Sequence, residues 1–310
     1  MINILILFLN DDIMSKEENH PKGVEWMLSD AEQLELRRFA ETIRLETFKE
    51  IAEFGSGHLG GAMSILETIS VLYGGVMNID PKRPDWKDRD RFILSKGHAG
   101  PTLYATLALL GYFPMDELKT LNRNGTNLPS HCDMLKTRGV DMTTGSLGQG
   151  ISTAIGIALA QRLDGQGAYT YLAMGDGEIN EGQVWEGVQF APHYKLTNLI
   201  AFVDVNGLQL DGTTKDVLDP RDLAAKFTAF GWLVKEIDGH DLVAIHETVT
   251  SAKQSGEGPH MILLKTIKGH GCGEIERLPN THHVVIDEQM TSSVTDLIQK
   301  RLDGLAGESA

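Results

Sequence analysis

Cysteine is scarce: Cys132 and Cys272 are the only two in 310 residues. That excludes a disulfide framework, leaves no C-x-x-C pair for zinc, and fits a reducing, cytoplasmic setting. Basic charge is also short, with 28 Lys and Arg against 43 Asp and Glu, a net charge of −15 and a pI near 5.1. Nucleic acid and anionic membrane surfaces would repel such a chain, so any anion it binds must be held by local geometry. Long apolar runs are missing as well. Residues 2–9 are apolar but too short to span a bilayer, and they lack the basic flank and cleavage site of a signal peptide. The polar stretch 15–22 that follows reads as an ordinary flexible start, with Met14 as an alternative initiator and residues 1–13 dispensable.

What remains is a globular composition, 41% hydrophobic and 23% charged, enriched to 33 glycines that imply many tight turns. Apolar residues Leu36, Phe39, Ala40, Ile43, Ile51 and Phe54 recur near the helical period, predicting a helix over 31–54 that Gly55 stops and Ser29 with Glu32 caps. Ser64 with Glu67 suggests a second capping box, opening a helix through Leu72 directly after the glycine-rich loop 55–61. From about Ala168, strands predicted over 169–174, 198–205, 232–237 and 261–266 alternate with helices over 183–194, 222–230 and 242–253. Residues 91–95 and 150–163 add a strand and a helix, and 289–305 a last helix. Strands apolar on both faces, alternating with helices, predict an α/β fold with a doubly wound parallel sheet and helices on both faces. No repeat or linker interrupts it, so residues 31–310 read as one domain after an N-terminal extension, 1–30. Such a fold places its ligand beyond the carboxyl ends of the strands.

Two features at those ends carry chemistry. Gly175-Asp176-Gly177 closes one predicted strand, and Asn206 closes the next, 30 positions later. One crossover helix would bring those ends together, offering hard oxygen ligands for Mg²⁺ and glycine amides for a phosphate. Read alone, both strings are also ordinary turn sequences. The second feature is histidine beside glycine or serine: Gly57-His58, Gly97-His98 and Ser130-His131. Singly, each histidine is more commonly structural than functional.

The full strings decide between these readings. Gly175-Asp176-Gly177-Glu178-Ile179-Asn180-Glu181-Gly182, followed by Asp204-Val205-Asn206-Gly207-Leu208, resembles the thiamine-diphosphate signature of the transketolase family. Ser95-Lys96-Gly97-His98-Ala99-Gly100-Pro101 and Thr143-Thr144-Gly145-Ser146-Leu147-Gly148-Gln149-Gly150 are similar to further segments of that family, in the right order. The resemblance covers roughly 34–289. It implies a thiamine-diphosphate-binding fold with Mg²⁺ held by Asp176, Asn206 and the Leu208 carbonyl, and with Gly177 against the diphosphate. His98 would contact the diphosphate, the Gly145 carbonyl the aminopyrimidine, and Leu147 the cofactor rings. His58 would meet donor oxygens near the reacting carbon, and His131 the donor's terminal hydroxyl. His282 aligns with a further family histidine, with His283 competing for that place. Glu181 and Glu186, one turn or so into the following helix, match glutamates that reach the partner's cofactor-activating side; a solvated helix face is the plain alternative for both.

Leu59 stands where the family usually has proline, and Ser130-His131-Cys132-Asp133 where it has Gly-His-Pro-Glu, which leaves the sugar open. No pyrimidine-binding domain follows the last predicted helix within the 310 residues. The resemblance is therefore to the N-terminal subunit of a split transketolase, transferring a two-carbon ketol unit from a ketose phosphate to an aldose phosphate. A C-terminal, pyrimidine-binding subunit would be its partner in an α2β2 assembly. The competing expectations are a 1-deoxyxylulose-phosphate-synthase-like chain, a 2-oxo acid dehydrogenase subunit, and a non-catalytic cofactor-binding relative.

Overall fold

The computed structural model describes residues 27–278 and 280–308. The expectations for the start of the chain, a dispensable 1–13 and an alternative initiator at Met14, lie outside them.

Helix α1 (Asp30–Phe54) begins at the expected capping box: Ser29 Oγ accepts from Glu32 N, and the Glu32 carboxylate accepts from Ser29 N at 2.8 Å. It ends at Gly55, whose φ of 91° closes the helix in the left-handed region. After β1 (Ser56–Gly57) come α2 (Leu59–Ser64) and α3 (Leu66–Val71). The second capping box does not form. The helix starts at Leu59, Ser64 lies at the end of α2, and Glu67 is bonded instead to Arg44 and His240. Both side chains serve long-range partners, which outweigh the local cap.

The chain continues through β2 (Arg91–Leu94), α4 (Gly100–Leu109), α5 (Gly150–Leu163), β3 (Thr170–Gly175), α6 (Gly182–His193) and β4 (Leu199–Val205). A short ribbon of β5 (Leu208–Gln209) and β6 (Gly212–Thr213) leads to α7 (Thr214–Leu218) and α8 (Leu223–Ala229). Then follow β7 (Leu233–Asp238), α9 (Leu242–Ser255), β8 (His260–Lys265), β9 (Val284–Val285) and α10 (Glu288–Gly307). The five longer strands form one parallel sheet in the order β2-β3-β4-β8-β7.

Alternate strand residues feed two cores, as the pleat requires. Phe92, Leu94, Tyr171, Ala173, Phe202 and Leu264 pack on one face with α1, α3, α4, α9 and α10. Ile93, Leu172, Met174, Val203, Met261 and Leu263 pack on the other with α5, α6 and α8. This is the doubly wound arrangement expected, and each fully buried aliphatic or aromatic side chain contributes about 1.5–3 kcal/mol. Among the described residues no helix is long and apolar enough to cross a membrane.

Candidate functional site

The carboxyl ends of the strands carry the expected residues. His98 lies in a tight turn, 97–99, just after β2. His58 precedes α2, and the antiparallel pairing of β1 with β9 brings it beside the segment that carries His282 and His283. Ring centroids put His58 at 5.5 Å from His98, 5.5 Å from His131, and 5.2 Å from both His282 and His283. His98 and His282 are 4.8 Å apart. Residues separated by more than 220 positions thus form one cluster.

Burial, then the mutual proximity of the imidazoles, pushes His58 down to about 4. Burial and the neighbouring Lys268 do the same to His282, also to about 4, and desolvation holds His98 well below its usual range. Burial lowers His131 as well. These four rings are therefore neutral near pH 7, each with one nitrogen able to accept a proton and one able to donate.

Glycines give the cluster its shape. A Cβ on Gly61 would stand 3.1 Å from His98 Nε2. One on Gly97 would strike the Thr144 hydroxyl at 2.6 Å, so the loop holding Gly145 and Leu147 packs directly on the His98 turn. Gly145, at φ 134°, lies under the His131 ring. Leu147 is exposed at the rim.

Beside the cluster is an oxygen-lined centre. Register pairs Gly175 with Asp204, so Asp176 and Asn206 leave adjacent parallel strands together. Asp176 accepts from Gly177 N at 2.8 Å and Gly207 N at 2.6 Å. Burial, together with the Asp204 charge, raises its carboxyl to about 6 against those two amides. Asn206 Oδ1 accepts from Leu208 N at 3.1 Å, and the Leu208 carbonyl accepts from Lys268 Nζ at 3.1 Å. Two of the three expected metal ligands, Asn206 and Leu208, thus lie on one turn, and Asp176 is tied to that turn through Gly207 N. The donor set, a carboxylate, an amide oxygen and a carbonyl, fits Mg²⁺. A cation, Lys268, already satisfies one of these oxygens. Gly177 keeps a further cradle open, since a Cβ there would meet Gln209 Oε1 at 2.9 Å.

Glu181 is the N-cap residue of α6 rather than one turn inside it; Glu186 lies within α6, and both are exposed. The motif reading passed over Glu178, Lys96, Asp204 and Lys268. Glu178 is buried and accepts from Ser95 Oγ, Gly148 N and Gly175 N, joining the two glycine-rich loops. Lys268 Nζ also stands 3.4 Å from His282 Nδ1, bridging the oxygen centre and the histidines. Lys268 belongs to the string Lys268-Gly269-His270-Gly271 after a strand, a signal that could have flagged it.

A second polar cluster, Glu67, His240 and His270, has metal-like spacing. It does not suit a cation. His240 Nε2 accepts from Ile267 N at 2.8 Å, so Nδ1 carries the proton toward Glu67 and has no lone pair free, while Arg44 holds the other Glu67 oxygen.

Comparison with known proteins agrees with this geometry. Residues 36–297 match the family described as transketolase, thiamine diphosphate binding domain. The chain is 48% identical over 269 residues to the 6-deoxy-6-sulfo-D-fructose transketolase subunit of Clostridium sp. (strain MSTE9), covering 87% of this chain and 98% of that one. It is 34% identical over 278 residues to an apulose-4-phosphate transketolase subunit of Phocaeicola vulgatus, covering 90% and 98%. Among solved structures, the transketolase of Campylobacter jejuni superposes with a TM-score of 0.79 at 30% identity, over 86% of this chain and 43% of that one. The chain thus spans less than half the length of the transketolases whose structures it matches. With a thiamine-diphosphate-domain match over most of its length and relatives of its own size that are subunits, the chain belongs to the transketolase family, as a subunit of such an enzyme.

Proposed function

We propose that this chain anchors thiamine diphosphate through Mg²⁺ and supplies the donor-side histidines of a two-subunit transketolase. A separate pyrimidine-binding subunit would complete the site, two copies of each forming the working enzyme in the cytoplasm. The observation that carries the reading is the meeting of two groups: the Asp176, Asn206 and Leu208 oxygens and the histidine cluster, joined through Lys268. Residues 31–310 act as one domain in this role.

When bound, the cofactor supplies the carbanion and electron sink for cleaving and forming carbon–carbon bonds. Asp176, Asn206 and the Leu208 carbonyl hold the metal, while Gly177 and His98 face the diphosphate. The Gly145 carbonyl and Leu147 position the cofactor rings. His58 and His282 give or take a proton at donor oxygens beside the reacting carbon, and His131 orients the donor's terminal hydroxyl. Neutral imidazoles suit both directions of that exchange.

At or close in sequence to site residues, Leu147, Leu210, Ile267 and Val285 are exposed. Exposed apolar side chains beside a binding site favour a covering protein surface, and Glu181 and Glu186 would lie at the same boundary. The two relatives named above act on ketoses with a sulfonate or a phosphate. The donor proposed here is accordingly a ketose bearing one of these anionic groups, and the acceptor an aldose phosphate. The test is steady-state ketol transfer with Mg²⁺, thiamine diphosphate and a panel of sulfonated and phosphorylated ketoses, with and without the candidate partner. Turnover is expected only with both subunits. Robust turnover by this chain alone would overturn the two-subunit reading.

A further inference from the structure

Asp204 is fully buried and collects bonds from four parts of the chain. Its Oδ2 accepts from Lys96 Nζ, from Ser64 Oγ at 2.5 Å and from Asn206 Nδ2 at 3.0 Å; its Oδ1 accepts from Thr266 Oγ1. Lys96, only 2% exposed, also donates to the Gly61 carbonyl at 2.8 Å, beneath His98. Both residues fall within the resembling strings quoted above, Lys96 beside Gly97-His98 and Asp204 two positions before Asn206, but neither was itself a candidate.

We propose that Asp204 is a positioning residue that fixes which end of the Asn206 amide faces the metal. The inference rests on the reading of Asn206 as a metal ligand. A carboxylate accepts but cannot donate, so the Asn206 NH₂ must turn toward Asp204. The amide oxygen is thereby left at the other end, where Leu208 N donates to it at 3.1 Å, so Asp204 and that backbone amide hold the orientation from both ends. Rotated by half a turn, the amide would present two hydrogens to a cation and repel it. The Lys96 ammonium balances the Asp204 charge, so the carboxylate can stay ionised in a buried place without itself drawing the metal. Lys96 and Asp204 then form an outer layer that orients a ligand, an arrangement whose loss typically costs about 10–100-fold in metal affinity.

The test uses the full chain with saturating thiamine diphosphate, titrated with Mn²⁺ and followed by loss of the free-ion EPR signal, alongside thermal melting. Asp204→Asn leaves the Leu208 amide alone to orient Asn206 and strands the Lys96 charge, so both affinity and melting temperature should fall. The double variant Asp204→Asn, Lys96→Met removes the stranded charge. Its melting temperature should recover while its Mn²⁺ affinity stays about tenfold weaker than wild type. Ser64→Ala, which removes a bond to the same carboxylate without touching Asn206, should keep Mn²⁺ affinity within about twofold. Recovery of both properties in the double variant, or equal losses in all three, would reduce Asp204 to a structural residue and overturn the proposal. Asp176→Ala separates this from the underlying reading: unchanged Mn²⁺ affinity in that variant would remove the metal site itself.

Discussion

The Lys268 ammonium donates to the Leu208 carbonyl at 3.1 Å, placing a buried cation against an oxygen that the metal would share. Burial, then the nearby Lys96 charge, lowers Lys268 to about 8, so its charge is held at a cost and is free to welcome an anion. Lys268→Met should weaken thiamine diphosphate binding about tenfold, roughly 1.4 kcal/mol, while leaving the melting temperature equal or higher. Calorimetric titration and thermal melting of the same preparation check both halves. A drop in stability with no change in affinity would show that Lys268 is a packing residue.

Asp176 and His131 should separate cleanly. Asp176 supplies the single carboxylate proposed for the metal, so Asp176→Ala should abolish Mg²⁺-dependent binding of thiamine diphosphate. His131 is proposed for the donor's terminal hydroxyl, so His131→Ala should leave cofactor affinity nearly unchanged and raise the donor KM in the assembled enzyme. Equal cofactor affinities in the two variants would contradict the metal assignment.

The histidine cluster predicts a pH dependence whose sign follows from linkage. His58 and His282 have their folded pKa values lowered from 6.5 to about 4, first by burial. Between those values the unfolded chain binds protons that the fold refuses, so stability falls as pH drops from about 6.5 toward about 4. Above that window the two residues contribute no slope. Melting temperatures measured from pH 7.5 to about pH 4 should decline, and His58→Gln should make the decline shallower. A variant with an unchanged slope would place the acid sensitivity elsewhere.

Gly60 tests how tightly the cluster is built. A Cβ there would stand 2.2 Å from the Thr281 carbonyl, backbone that cannot rotate away, and Gly60 N donates to that same oxygen at 2.9 Å. Gly60→Ala should cost about 1–3 kcal/mol by chemical denaturation and should displace His282, lowering ketol transfer beyond the loss of folded protein.

Local rules made much of this molecule readable from its residues. The cap at Ser29, the stop at Gly55 and the two-sided apolar strands act over a few positions, and the parallel sheet, α1, α5, α6, α8, α9 and α10 stand close to where they were expected, whereas α4 and α7 were not foreseen. The pairing of Asp176 with Asn206 was legible because one crossover helix constrains it. The Ser64 and Glu67 pattern misled because both side chains answer to residues far away in the chain, Asp204 and Arg44. Lys96 and Asp204, 108 positions apart, meet only once the sheet exists, and no spacing rule announces such a pair. His282 and His283 could not be separated by alignment; geometry sets both against His58, and Lys268 reaches toward His282.

The short ribbon of β1 and β9 also sets a schedule for making the protein. Ser56 pairs with Val285 and Gly57 with Val284, so His58 meets His282 and His283 only after residue 285 has left the ribosome. Closing so long a loop costs about 5 kcal/mol in chain entropy, against which two strand pairs alone give little. The cluster therefore forms late, on a sheet already folded. A ribosome stalled before that point would hold a chain with His58, His98 and His131 but without the two histidines that complete the cluster.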